Sequence, residues 1–378
     1  MGERRRTIFV TGYPGFIGKR LVRRLVEEGR GDARLVLLVQ PKVASQAAAE
    51  LRQQGSPGVE LVEGDVVRMH LGLSGPEFKR LRAEATEIWH LAAVSYLGAE
   101  RELFQRVNVE GTRNVLELAR SCPRLERLNH FSTAWVSGDR VGVILEEELE
   151  MGQGFHNPYE ESKYRAEALV RRAQSEIPAT IYRPSIVVGD SRTGEIDRFE
   201  GPYYLAILLV TSPLAVPLPL PGDGVAPLNV VPVDFLVDAV LSISRNPEGI
   251  GKTVHVVDPA PLSARRVYEM IAERANKRLP PVSIPHRAVE ALLSLPVLER
   301  LYRPQRAAIA QVNHLVMYNC HNLLNLLDGT GIRCPPITGY LDRLIEFVRA
   351  EFERRRQAEA QAQLEDPLDP GPPAAGTP

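Results

Sequence analysis

The chain has 378 residues, 46 of them basic and 47 acidic, for a formal charge of −1 at pH 7. So even a balance excludes an electrostatic case for nucleic-acid binding, which depends on clustered Lys and Arg. The three cysteines, Cys122, Cys320 and Cys334, are scattered without CxxC or metal spacing, and predict a reduced, cytoplasmic protein with no metal.

Met1–Arg6 is short and basic and lacks the apolar core of a signal peptide. The length suits one large α/β domain, or a nucleotide domain with a smaller partner, at roughly 100–200 residues per domain. β-Branched runs predict strands at Thr7–Thr11, Leu35–Val39, Val59–Val62, Glu87–Leu91, Leu128–Ser132 and Thr180–Arg183. Apolar residues at helical spacing predict helices at Phe16–Glu28, Arg101–Arg120 and Pro158–Gln174. This alternation predicts an α/β fold, a Rossmann-type doubly wound parallel sheet with ligands beyond the carboxyl ends of its strands.

Between the first strand and first helix lies Thr11-Gly12-Tyr13-Pro14-Gly15-Phe16-Ile17-Gly18. Gly12 allows the tight turn, Gly15 the approach of a pyrophosphate, and Gly18 close packing of helix on strand. The amides opening the helix, with its positive dipole end, face the phosphates. An acid at the end of the second strand would favour NAD. Gln40 and Lys42 stand there instead, leaving room for a 2′-phosphate and favouring NADP, with NAD the alternative. Asp65 and Val66 of Gly64-Asp65-Val66 are expected at the adenine. Leu91, Ala92 and Ala93 end the fourth strand with small residues against which a cofactor lies flat.

Asn157-Pro158-Tyr159-Glu160 has the residues of a helix start, with Asn157 as N-cap, Pro158 next and Glu160 placed for a capping box. Tyr159 and Lys163 then share a helix face. A cation beside the phenol favours phenolate and tunes it for acid–base work.

After Pro184 a Gly- and Pro-bearing stretch runs from Gly189 to Pro232. A helix at Val233–Ser244, a strand at Thr253–Val257 and helices at Ser263–Asn276, Ala288–Tyr302 and Leu341–Arg356 follow. These predict residues 1–188 as the dinucleotide domain and 189–357 as a smaller, mostly helical substrate-binding part, interleaved with the sheet or separate. A disordered tail is expected over 358–378. The longest apolar run, Tyr203–Leu220, is broken by prolines and too short for a membrane span. Its Tyr203–Val210 portion reads as a buried helix or an acyl-chain channel, and Leu214–Pro221 as a lid or a rigid connection. His286 and His321 read as structural.

Taken in order, the phosphate loop, Gly64-Asp65-Val66, His90-Leu91-Ala92-Ala93, Asn108-Val109-Glu110-Gly111-Thr112, Phe131-Ser132-Thr133-Ala134, the Tyr159–Lys163 pair and Arg183-Pro184-Ser185 resemble an extended short-chain dehydrogenase/reductase. Ser132-Thr133-Ala134 and the run from Arg183 to Gly194 resemble the branch of fatty acyl-CoA reductases and thioester reductase domains. That resemblance implies Thr133 as the catalytic hydroxyl, with Ser132 second, and Tyr159 and Lys163 as its partners, Lys163 also on the nicotinamide ribose. Asn108 would support the site, and Pro184, Ser185 and Ile186 would border the nicotinamide.

The implied reaction is hydride delivery to an acyl thioester, on CoA or a carrier protein, or to the derived aldehyde. Nucleotide-sugar epimerases or dehydratases and hydroxysteroid-type dehydrogenases share this chemistry and stand as alternatives, as does a dinucleotide-binding sensor or scaffold without turnover. Peripheral contact with a membrane surface stays open.

Overall fold

A computed structural model describes residues 6–28, 33–55, 58–197, 224–275 and 314–365. The expected channel at Tyr203–Val210, the Leu214–Pro221 segment, His286 and the Ala288–Tyr302 helix lie outside these residues. The chain divides into two units. One comprises Met1–Val187, Val233–Val257 and Tyr318–Arg333, the other Val188–Pro232, Asp258–Met317 and Cys334–Pro378.

The strands are β1 (Arg6–Thr11), β2 (Ala33–Val39), β3 (Val59–Glu63), β4 (Glu87–His90), β5 (Arg127–Phe131), β6 (Gly142–Ile144), β7 (Ala179–Pro184), β8 (Ile186–Val188), β9 (Val230–Pro232), β10 (Thr253–Val256) and β11 (Val316–Tyr318). In the first unit, seven of them form a sheet in the order β10-β7-β5-β4-β1-β2-β3. Every neighbouring pair in it is parallel. The order reverses between β1 and β4, the crevice in which doubly wound sheets bind ligands. The six strands predicted before Pro184 are not the whole sheet. Thr253–Val256, from the later half of the chain, adds the seventh beside β7.

The helices of this unit are α1 (Phe16–Glu28), α2 (Pro41–Gln53), α3 (Gly75–Glu84), α4 (Arg101–Phe104), α5 (Gly111–Ser121), α6 (Pro158–Ala173), α7 (Val233–Arg245) and a short α9 (His321–Leu327). Two of them, α2 and α3, are not predicted from the sequence. α2 starts on Pro41, and Ser74 and Glu77 form a reciprocal capping box that starts α3. The single helix expected over Arg101–Arg120 is interrupted by a π-helical turn, Gln105–Glu110.

One face of the sheet packs Phe9, Val36, Ile88, Leu128 and Ile181 with Val115 and Leu118 of α5 and Val170 of α6. On the other, Trp89 stacks on Tyr182 at 6.2 Å, and the Tyr182 hydroxyl donates to Asn129 Oδ1 at 3.0 Å. Each such aromatic buries about 150–250 Å², equivalent to roughly 4–6 kcal/mol of transfer free energy.

In the second unit, α8 (Ala264–Arg274) and α10 (Leu341–Glu365) are joined by an ion pair from Arg274 to Asp342. Asn229 and Asp258 exchange two hydrogen bonds of 2.9 Å. α10 continues through Glu365, beyond the Leu341–Arg356 helix expected from the sequence. No described helix is long and apolar enough to cross a membrane.

Candidate active site

The phosphate loop is built around Gly12, at φ +91. A Cβ there would lie 2.7 Å from the Ala92 nitrogen and the Leu91 carbonyl carbon, and one on Gly18 would lie 2.6 Å from Gly12 O. β1, the β4 exit and α1 therefore meet with room for backbone only. Gly15 is exposed and its N–H donates to Gly12 O at 2.9 Å. The Phe16 and Ile17 amides open α1, where no helical carbonyl reaches them. This cradle fits the diphosphate of a dinucleotide. Tyr13 turns inward: its phenol is buried, and burial with the Glu50 charge pushes it up to about 12. Only the backbone of Tyr13 and the half-buried Pro14 are left for cofactor contact.

At the end of β2, Gln40 Nε2 donates to Asp65 Oδ2 at 3.0 Å, and Val67 N donates to Asp65 Oδ1 at 3.1 Å. Lys42 is exposed in the first turn of α2. Val66 is buried, and its carbonyl accepts from Asn114 Nδ2 at 2.7 Å.

At the β4 exit, Leu91 N donates to Thr11 O at 3.3 Å and Ala92 N to Thr11 Oγ1 at 3.3 Å. Thr11 Oγ1 lies 2.8 Å from His90 Nδ1, and His90 Nε2 lies 3.0 Å from Thr112 Oγ1, which donates to Asn108 O at 2.7 Å. A carbonyl only accepts, so the Thr112 proton is committed and His90 Nε2 must carry the hydrogen. Burial, with the Lys163 charge, holds this imidazole down at about 3, so it is neutral.

Asn108, in the π-helical turn, is also buried. Its Oδ1 accepts from Val94 N at 2.8 Å, and its Nδ2 donates to Val94 O at 3.0 Å and Ser162 Oγ at 2.9 Å. Ser162 Oγ in turn donates to Tyr159 O at 2.8 Å. Such turns recur at functional sites because they re-aim side chains within a helix.

Asn157 Oδ1 caps α6 by accepting from Glu160 N at 3.0 Å. The expected capping box is displaced by one residue, since Glu160 Oε2 accepts from His156 N at 2.9 Å. Tyr159 packs edge-on to Phe104 and Trp135, with ring centroids 6.2 Å apart in each case. One turn on, buried Lys163 donates from Nζ to Phe131 O at 2.6 Å. Burial pulls its ammonium down to about 8, against the opposing pull of Glu167.

The next two residues of that chain segment are Ser132 and Thr133. The Ser132 hydroxyl is committed to Glu167 Oε2 at 2.6 Å. Thr133 Oγ1 accepts from Trp135 N at 3.4 Å, which leaves its own O–H to donate elsewhere. Beside this strand, β7 ends at Pro184. Ser185 is buried, with its N–H on Val256 O at 3.2 Å, and Ile186 is partly exposed.

Sequence reasoning missed the Thr11–His90–Thr112 chain, for which a lone His and two Thr give no spacing signal. It also passed over Glu167, whose position four residues after Lys163 was readable. His321, which reads as structural in the sequence, is exposed on α9 with Nε2 2.9 Å from Asn325 Nδ2.

Fold and sequence together define an NAD(P)-binding domain of the extended short-chain dehydrogenase/reductase type. The chain belongs to the NAD-binding family described as Male sterility protein, which matches residues 10–240. It is 30% identical over 279 residues to Nonribosomal peptide synthetase asaC of Aspergillus flavus, covering 67% of this chain and 26% of that protein. With Fatty acyl-CoA reductase wat of Drosophila melanogaster it shares 26% identity over 286 residues, covering 63% of this chain and 54% of the reductase. The chain thus spans a quarter to a half of the length of these two relatives. Among solved structures, the terminal R domain from the myxalamid PKS-NRPS biosynthetic pathway is 30% identical, with a TM-score of 0.76 over 92% of both chains.

Proposed function

We propose that this chain reduces an acyl thioester, carried by CoA or a carrier protein, or the derived aldehyde, with NADPH, through Thr133, Tyr159 and Lys163. The observation that carries this reading is the Lys163 hydrogen bond to Phe131 O, which anchors the Tyr159 turn of α6 two residues from Thr133.

When bound, the dinucleotide supplies the hydride. Gly12, Gly15, Phe16 and Ile17, with the backbone of Tyr13 and Pro14, hold its diphosphate. Gln40 and Lys42 take the 2′-phosphate, and Asp65 and Val66 border the adenine. Leu91, Ala92 and Ala93 form the small-residue floor. Asn108 braces it, and Pro184, Ser185 and Ile186 border the nicotinamide.

The Thr133 hydroxyl donates to the carbonyl oxygen and orients it. Tyr159 gives that oxygen its proton as negative charge develops there. Phe104 and Trp135 hold the phenol ring and keep water from its flanks. Lys163, an ammonium below about pH 8, stabilises the phenolate that remains and donates to the cofactor ribose.

The test is loss of NADPH absorbance with a panel of acyl-CoAs and aldehydes, repeated with NADH and with nucleotide sugars. Tyr159→Phe is expected to slow turnover about 10²–10⁴-fold, the usual worth of a positioned acid. Unchanged turnover in that variant, or no cofactor oxidation with any acyl substrate, refutes the reading.

A further inference from the structure

Tyr159, Lys163 and Glu167 lie at intervals of four on α6 and share one face. Glu167 is fully buried, and its carboxylate is ringed by donors. Oε2 accepts from Ser132 Oγ at 2.6 Å and Arg183 Nε at 3.0 Å. Oε1 accepts from Arg183 Nη2 at 2.7 Å and Arg171 Nε at 2.9 Å. Burial works against ionisation here, but Arg183, Arg171 and Ser132 outweigh it and hold the carboxyl below its ordinary range.

Adjacent residues of one chain segment thus grip successive turns of one helix: Phe131 O takes Lys163, and the Ser132 hydroxyl takes Glu167. A structural ion pair between Glu167 and Arg183 needs neither the Ser132 bond nor proximity to Lys163. The charge inventory points further. Glu147 also acts on Arg171 and Glu148 on Arg183, but the carboxylate that acts on Lys163 is Glu167. His90 on β4 and His130 on β5, both of which feel the Lys163 charge, are held neutral by burial and supply no anion. His255 on β10, whose Nε2 lies 3.1 Å from Arg183 Nη1, is neutral as well.

We propose that Glu167 is a positioning residue of the hydride-transfer site, its carboxylate serving as counter-charge to the Lys163 ammonium and tying that turn of α6 to the strand end that bears Thr133. This rests on the reading of Tyr159 and Lys163 given above, so its first readout is independent of turnover. The chain has six lysines. With ¹³C-labelled lysine, the Cε resonance missing from Lys163→Met identifies Lys163, and its shift is followed against pH.

The parent Lys163 is expected to titrate near about 8. In Glu167→Gln the midpoint falls by on the order of one pH unit, as expected for loss of a close opposite charge. In Arg171→Gln, which removes a cation competing for the same carboxylate, it rises. The alkaline limb of NADPH oxidation follows Lys163 in both variants. Opposite shifts in the two variants support the proposal even if the parent consumes no NADPH, an outcome that sinks only the proposed reaction. An unmoved Lys163 midpoint in folded Glu167→Gln overturns the inference. If that variant does not fold, a midpoint in Arg171→Gln that fails to rise overturns it.

Discussion

Replacing Gly12 by Ala tests whether the phosphate loop is held by backbone contact, and Gly55 is its internal control. Both glycines have positive φ, +91 at Gly12 and +59 at Gly55, so either substitution incurs the left-handed cost of roughly 1–2 kcal/mol. They differ in surroundings. A Cβ at Gly55 meets nothing within 4 Å, whereas at Gly12 it meets Ala92 N and Leu91 C at 2.7 Å and Leu91 Cβ at 2.9 Å. Two of those atoms are backbone and cannot rotate away, so the β4 exit must shift, adding about 1–3 kcal/mol of overpacking. The total for Gly12→Ala is about 2–5 kcal/mol, a large part of the roughly 5–15 kcal/mol that stabilises an ordinary domain. Guanidinium unfolding of both variants, with NADPH binding followed by nucleotide fluorescence, measures the difference. Gly55→Ala should bind NADPH as the parent does, and Gly12→Ala should lose both stability and binding. Equal unfolding midpoints for the two variants would show that the Leu91–Ala92 contact does not constrain the loop.

Two further outcomes are expected. Thr133→Val should lower kcat by about 10²–10³, the usual worth of one donor to a developing oxyanion, while Ser132→Ala loses far less because its hydroxyl already serves Glu167. A larger kcat loss in Ser132→Ala would exchange the two roles. His90 and His255 are each held down at about 3 by burial against an ordinary 6.5, so the unfolded chain takes up their protons first. Their contribution to stability is intact above pH 6.5 and is lost as pH falls from there toward 3. The guanidinium midpoint should therefore drop below pH 6.5, and less steeply in His90→Gln. Identical acid profiles would remove His90 from that account.

The parallel sheet was legible because most strands before Pro184 are β-branched runs, Leu128–Ser132 being the exception with none, and α1 has the limits the sequence predicts, Phe16–Glu28. Helices α2 and α3 were not, since a capping box rather than an apolar stripe defines α3 and the buried face of α2 rests on the small Ala47 with Leu51. Strand β10 was placed in the later half because adjacency in sequence says nothing of which sheet edge is free. At the site, the Tyr159–Lys163 spacing and the glycine loop were readable as local patterns. The commitment of Ser132 to Glu167 was not, because it joins residues 35 positions apart across a fold. Likewise, Tyr13 stands in the middle of the phosphate-loop motif, yet its side chain faces the core.

The buried polar chain through His90 explains how the two readable patterns are kept in register. It runs with one direction of donation: Ala92 N–H to Thr11 Oγ1, Thr11 O–H to His90 Nδ1, His90 Nε2–H to Thr112 Oγ1, and Thr112 O–H to Asn108 O. Every donor is used once, so no member can be inverted without stranding another in a site where an unpaired polar group costs about 1–3 kcal/mol. Asn108 then carries the connection to Val94 and, through Ser162, to the carbonyl of Tyr159. The small-residue floor at Ala92 and the turn that bears the phenol are thus two ends of one hydrogen-bonded path. A protonated His90 could not accept from Thr11, so the path requires the neutral imidazole that burial enforces. The π-helical turn at Gln105–Glu110 lets one residue, Asn108, offer its carbonyl to Thr112 while its side chain reaches Val94 and Ser162.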